Sequence, residues 1–154
     1  MNTQGHESFG LEAMKKVVHG DLFTWKNPVI TIKTRGRTYG RLSRHADELG
    51  LALPDLMLGC ASFQDPYIFV ALWDDESAYS PRLLSSCAAS ILSAASRNNV
   101  ALVAIPLLGD KKDAVNNLRL IEEALCKTAD ELDARDRHVP DWIYVTSGTI
   151  QSED

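Results

Sequence analysis

Tyr67-Ile68-Phe69-Val70-Ala71-Leu72-Trp73 is an unbroken run of seven aromatic and aliphatic residues. A strand with one wet face would alternate apolar and polar side chains. This run does not alternate, so it suits a strand buried on both faces of a largely parallel sheet. A second such run, Val100-Ala101-Leu102-Val103-Ala104-Ile105, stops at Pro106. Between the two lies the clearest helix of the chain. Ser80 can accept from the exposed N–H groups of its first turn, and Pro81 at the first helical position has no N–H to waste. Leu83, Leu84, Cys87, Ala88, Ile91, Leu92 and Ala95 follow at helical spacing, and Asn98-Asn99 closes the segment.

The remaining elements fit the same alternation. Leu11 to Val18 reads as a strand running into a turn at Gly20-Asp21. Val29 to Thr34, rich in β-branched residues and preceded by Pro28, is a strand. Arg41 to Leu53 is predicted helical, with Leu42, Ala46 and Leu49 on one face, and Asp55 to Cys60 a short strand. A long helix is predicted from about Asp113 to Ala134, with Asp113 as N-cap and Val115, Leu118, Ile121, Leu125, Ala129 and Leu132 on its apolar face. Trp142 to Thr146, after Pro140, is the last strand. Strands alternating with helices require crossover connections. The expected architecture is a single three-layer α/β/α domain with a mixed, mostly parallel sheet, spanning residues 11–146 between tails at 1–10 and 147–154.

Composition agrees: 154 residues with 45% hydrophobic and 24% charged side chains match an ordinary one-domain globular protein. The polar N-terminus offers no apolar core of a secretory signal, and no apolar run approaches the roughly 18 residues of a membrane span. A cytoplasmic protein without membrane contact is expected. The net charge of −5 disfavours nucleic acid as a partner of the whole molecule. Cys60, Cys87 and Cys126 are odd in number and widely spaced, which argues against a disulfide framework or a cysteine zinc site; their apolar neighbours predict buried thiols. His6, His19, His45 and His138 are scattered with no paired-ligand spacing. No GxSxG elbow occurs, and Ser85 and Ser86 fall inside a helix. No metal or cofactor is expected.

Charge is unevenly placed. Lys33, Arg35, Arg37, Arg41 and Arg44 give the segment 33–45 a formal +5 without an acid, leaving −10 elsewhere, since −5 minus +5 is −10. Gly36 and Gly40 interleave with the arginines ahead of a predicted helix. Free N–H groups at a helix start, with guanidinium forks beside them, suit a phosphate; a solvated helix face is the plain alternative. Leu108-Gly109-Asp110-Lys111-Lys112 lies between a buried strand and the long helix, where a doubly wound fold holds phosphate. Gly109 would admit a ligand close to the backbone; an ordinary connection is the other reading. Gly20-Asp21-Leu22 follows the first strand, and Asp21 could accept from an exocyclic amine or simply shape a turn. Trp73-Asp74-Asp75-Glu76 could hold Mg²⁺ or serve acid–base chemistry, but such a cluster more commonly ends a strand.

Three of these stretches together resemble the macro domain family. Val18-His19-Gly20-Asp21-Leu22-Phe23 is similar to the family's opening Gly-Asp-Ile segment, whose aspartate holds the adenine amine. Ser80 to Gly109, ending in Val103-Ala104-Ile105-Pro106-Leu107-Leu108-Gly109, resembles its helix followed by a strand running into a Pro-x-Leu-Gly loop. Gly36 to Ala46 resembles the first phosphate loop and its helix. The order covers roughly residues 11–146. The resemblance implies a macro-like fold that binds ADP-ribose or a related nucleotide. The implied contacts are Asp21, Leu22, Gly36, Arg37, Gly40, Arg41, Gly109, Asp110 and Lys111, and any turnover would be hydrolysis of an ADP-ribosyl or nucleotide derivative. The family's Asn-Ala-Ala-Asn stretch has no counterpart after Ile30-Thr31-Ile32. With the acidic surface, that keeps a second reading open: a catalytically inactive protein-interaction module, such as an inhibitor or immunity protein, on the same scaffold.

Overall fold

Alternation along the apolar runs assigns the sheet its two faces. Ile68, Val70 and Leu72 enter one apolar cluster, while Phe69 and Ala71 enter another. Side chains two apart share a face, so this strand is apolar throughout because both its faces are covered. The computed structural model describes residues 17–34, 50, 52–73, 80–109 and 113–146. Among these the elements run β1 (Val17–Val18), a 3₁₀ turn (Leu22–Thr24), β2 (Val29–Lys33), β3 (Ala61–Gln64), β4 (Tyr67–Trp73), α1 (Pro81–Arg97), β5 (Leu102–Pro106), α2 (Ala114–Ala134) and β6 (Asp141–Val145).

The strands form two three-stranded sheets, in the orders β1-β6-β5 and β2-β4-β3. All described pairings are parallel except β3 with β4. A parallel bridge between Pro28 and Ala104 joins the two sheets. Asn27 makes the seam: its carbonyl accepts from Ala104 N at 3.2 Å, and its Nδ2 donates to the Leu102 carbonyl at 3.2 Å. Pro28 has no N–H to give, and its carbonyl accepts from Ile68 N at 3.0 Å.

Both described helices pack on one face. Leu84, Cys87, Ala88, Ile91 and Leu92 of α1 and Leu118, Ile121 and Leu125 of α2 share a core with Val29, Val70, Val103, Ile105, Trp142 and Tyr144. On the opposite face, Leu22 packs with Ala104 and Val145, and Leu53 and Leu56 pack with Ile30, Ile32, Phe69 and Ala71. The helix α1 keeps its expected caps: Ser80 Oγ accepts from Leu83 N at 3.2 Å, Pro81 opens the helix, and Asn99 takes a positive φ of 57° just past its end.

Four expectations need correction. The strand expected over Asp55 to Cys60 is absent, and β3 follows it at Ala61–Gln64. Leu58 and Gly59 turn there, Gly59 with φ 84°. The alternation was legible, since Ala61 and Phe63 pack into the core, but four residues on an edge strand carry little signal. Val115 is 69% exposed rather than part of the α2 core face. Val115 lies in the first turn of α2, ahead of Leu118, the first buried apolar residue of that helix. Asp113 takes the N-cap position without a side-chain cap bond. Only Cys87 is buried, while Cys60 and Cys126 are exposed: Cys60 leaves the turn before an edge strand, and Cys126 is one position off the buried stripe of α2. The helix expected over Arg41 to Leu53 lies outside the described residues at 41–49; Gly50 is a turn residue with φ 66°, and Ala52 and Leu53 are not helical. Residues 11–16 of the first expected strand also lie outside.

Candidate functional site

The connections set where a ligand can enter. From β4 the chain crosses by α1 to β5, and from β5 by α2 to β6, always toward the β1 edge and always over the helical face. From β2 it travels the other way, to β3 and β4, with Leu53 and Leu56 over the opposite face. The direction therefore reverses between the neighbouring strands β5 and β2. At such a reversal the two connections diverge and leave a crevice beyond the carboxyl ends of the strands.

Three of the segments singled out in the sequence reach this edge. Beyond β5 run Leu107, Leu108 and Gly109, and Gly109 has φ 91°, a conformation that favours glycine. Beyond β2 the chain continues into Thr34, whose N–H donates to the Trp73 carbonyl at 3.0 Å. Gly36, Arg37, Gly40 and Arg41 on that connection lie outside the described residues, as do Asp110 and Lys111 after Gly109. Of the acidic stretch, Trp73 ends β4, and Asp74, Asp75 and Glu76 lie outside as well.

The third segment follows β1. Asp21 is exposed and caps the 3₁₀ turn: its Oδ1 accepts from Phe23 N at 3.0 Å, and its carbonyl accepts from Thr24 Oγ1 at 2.7 Å. The turn role foreseen for Asp21 is thus real, and it fixes the carboxylate while leaving Oδ2 without a partner among the described residues. Leu22 is buried against Ala104 and Val145. Its side chain anchors the turn to the sheet. Gly20, with φ 150°, makes the preceding bend.

Sequence reasoning passed over two residues here. Thr146, just after β6, donates its N–H to the Val18 carbonyl at 2.9 Å, and its Oγ1 lies 3.0 Å from His19 Nδ1. The two lie 127 positions apart in sequence, and only the parallel pairing of β1 with β6 brings them together.

Among the described residues, the strand order, the antiparallel edge strand β3 and the same-face crossovers through α1 and α2 form a macrodomain-like α/β fold. Solved structures that share it include the macrodomain of Mycobacterium tuberculosis DarG, with a TM-score of 0.56, 14% identity, and 84% of this chain matched to 96% of that one, and the macrodomain of Thermus aquaticus DarG, with a TM-score of 0.53, 14% identity, and 84% matched to 95%. Comparison of the sequence itself matches no family model and no curated protein. Among the described residues, no helix is long and apolar enough to cross a membrane.

Proposed function

We propose that this chain is a macro-like module that binds ADP-ribose or a related nucleotide at the carboxyl edge of its sheet. The observation that carries the reading is Asp21. One carboxylate oxygen is held by the turn and the other has no partner among the described residues, on the connection that leaves β1 at the carboxyl edge. A carboxylate so held accepts from an exocyclic amine without first being ordered, which lowers the entropic cost of binding. Gly109 lets the backbone approach a phosphate, and Asp110 and Lys111 follow it. Gly36, Arg37, Gly40 and Arg41, on the connection after β2, supply cationic and backbone donors for the pyrophosphate. The macrodomain-like fold supports the ligand class.

Isothermal titration with ADP-ribose tests this. Micromolar binding is expected, and Asp21→Asn should weaken it about tenfold or more while keeping the fold. Asparagine retains an oxygen for the Phe23 N–H but turns an amide N–H toward the ligand amine. Absence of heat at millimolar ADP-ribose overturns the reading.

A further inference from the structure

We infer that Lys33 is an anion-binding residue of this site, the side chain that holds one phosphate of a diphosphate whose other phosphate lies on the Gly109 backbone. The inference deepens the proposed nucleotide site and rests on it for the identity of the ligand. The parallel bridge between Pro28 and Ala104 fixes how β2 stands against β5. Five residues on from that bridge along each chain come Lys33, the last residue of β2, and Gly109, just past the end of β5. Both therefore stand at the carboxyl edge, one on each side of the boundary where the direction of the connections reverses.

Two observations give the face of Lys33. Val29 lies in the helical-face core, and Ile30 and Ile32 lie in the core opposite, so alternation returns Lys33 to the helical face. The ladder shifts by one residue after Ile32, which makes Trp73 rather than Leu72 the partner of Lys33. Leu72 and Trp73 both pack with the helical-face core, so the shift brings Trp73 onto the face that Lys33 shares. Such irregularities re-aim side chains beside functional sites. Thr31, two residues earlier on that face, is fully buried, whereas Lys33 is half-buried. A lysine stem can cover apolar surface while its ammonium reaches past it. A half-buried ammonium is screened less than an exposed one and binds phosphate as a point charge. Across the boundary, Gly109 at φ 91° presents backbone with no side chain in the way. Neighbouring strands stand about 4.8 Å apart, a gap that one diphosphate bridges.

Titration of pyrophosphate and ADP-ribose into the wild type, Lys33→Met, Lys33→Arg and Lys26→Met tests the assignment. Lys26 is exposed and precedes the amino end of β2, so its variant removes one positive charge away from the carboxyl edge. Lys33→Met should weaken both ligands by roughly 10-fold or more, Lys33→Arg should recover most of that loss, and Lys26→Met should change neither. Raising NaCl from about 0.05 M to about 0.5 M should weaken the wild type more than Lys33→Met, which a loss of packing alone would not produce. Unchanged affinity in Lys33→Met, beside a wild type that binds, overturns the role of Lys33 alone. Weakening with the salt dependence of the wild type, or equal weakening in Lys26→Met, overturns it as well. A wild type that binds pyrophosphate but no ADP-ribose overturns the nucleotide reading and leaves the anion site standing. A wild type that binds neither overturns both.

Discussion

Trp142 on β6 donates its indole N–H to Glu122 on α2 at 2.9 Å, and Tyr144, two residues along the same strand, donates its hydroxyl to the same carboxylate oxygen. Cys126 Sγ, one helical turn on, donates to the other oxygen at 3.6 Å. One half-buried acid therefore satisfies two side chains that are 6% and 0% exposed, and it fastens α2 to the sheet. The asymmetry between losing an acceptor and leaving buried donors unmet sets what substitution costs. Glu122→Leu should destabilise the fold by about 2–4 kcal/mol, and Glu122→Gln, which keeps an acceptor oxygen, by about 1 kcal/mol. Urea denaturation followed by tryptophan fluorescence measures both; equal losses would contradict the account.

Alkaline stability follows from the same strand. Burial, reinforced by the Glu122 hydrogen bond, pushes the Tyr144 phenol well above its ordinary value of 10.0. Burial, with Cys60 nearby, pushes the Cys87 thiol from 9.0 up to about 12. Both groups titrate at higher pH in the folded state than in the unfolded one. Their contributions are full below pH 9 and are lost as pH rises, first through the Cys87 window of 9 to about 12 and, above 10, through Tyr144. Unfolding free energies measured at pH 8, 9.5 and 11 should fall, and Tyr144→Phe should flatten the decline above pH 10.

The cysteines should divide by reactivity. Cys60 and Cys126 are exposed and Cys87 is buried with a raised pKa. A thiolate-selective disulfide reagent at pH 8 should label two thiols in the native protein and the third only in denaturant. Three fast thiols would show that α1 does not seal Cys87 against β4.

Asn27 controls the seam between the two sheets. It sits at φ 56°, bonds Leu102 through its side chain and accepts from Ala104 through its carbonyl. Asn27→Ala should cost roughly 1–3 kcal/mol, combining a lost hydrogen bond with the strain of a left-handed alanine. Asn27→Gly, free of that strain, should cost less. Thermal denaturation of both variants measures the difference, and equal costs would count against the strain component.

Several of these relationships were visible in the sequence and others were not. The runs at Tyr67–Trp73 and Val100–Ile105, and the Ser80-Pro81 start with its Asn98-Asn99 stop, led to β4, β5 and α1 with ends within two residues. Asp21 was legible as a turn residue after a strand because the Gly-Asp pair writes its own geometry locally. The exposure of Val115, Cys60 and Cys126 was not, because it depends on how each element packs against the sheet. The partnership of His19 with Thr146 was equally hidden, since neither residue has a local pattern that names the other.

The sequence by itself determined β2, β4, β5, β6, α1 and α2, because periodicity and caps act within a few residues, while it missed the short edge strand β3 and put Val115 on the buried face of α2. It also placed glycine at 109, where the backbone takes a positive φ. Only the tertiary structure decided the order β1-β6-β5 beside β2-β4-β3 and the reversal of direction between β5 and β2. The physical reason is that strand pairing is chosen by burial across the whole sheet. Backbone hydrogen bonding is alike for every strand, so no single segment carries the identity of its neighbour.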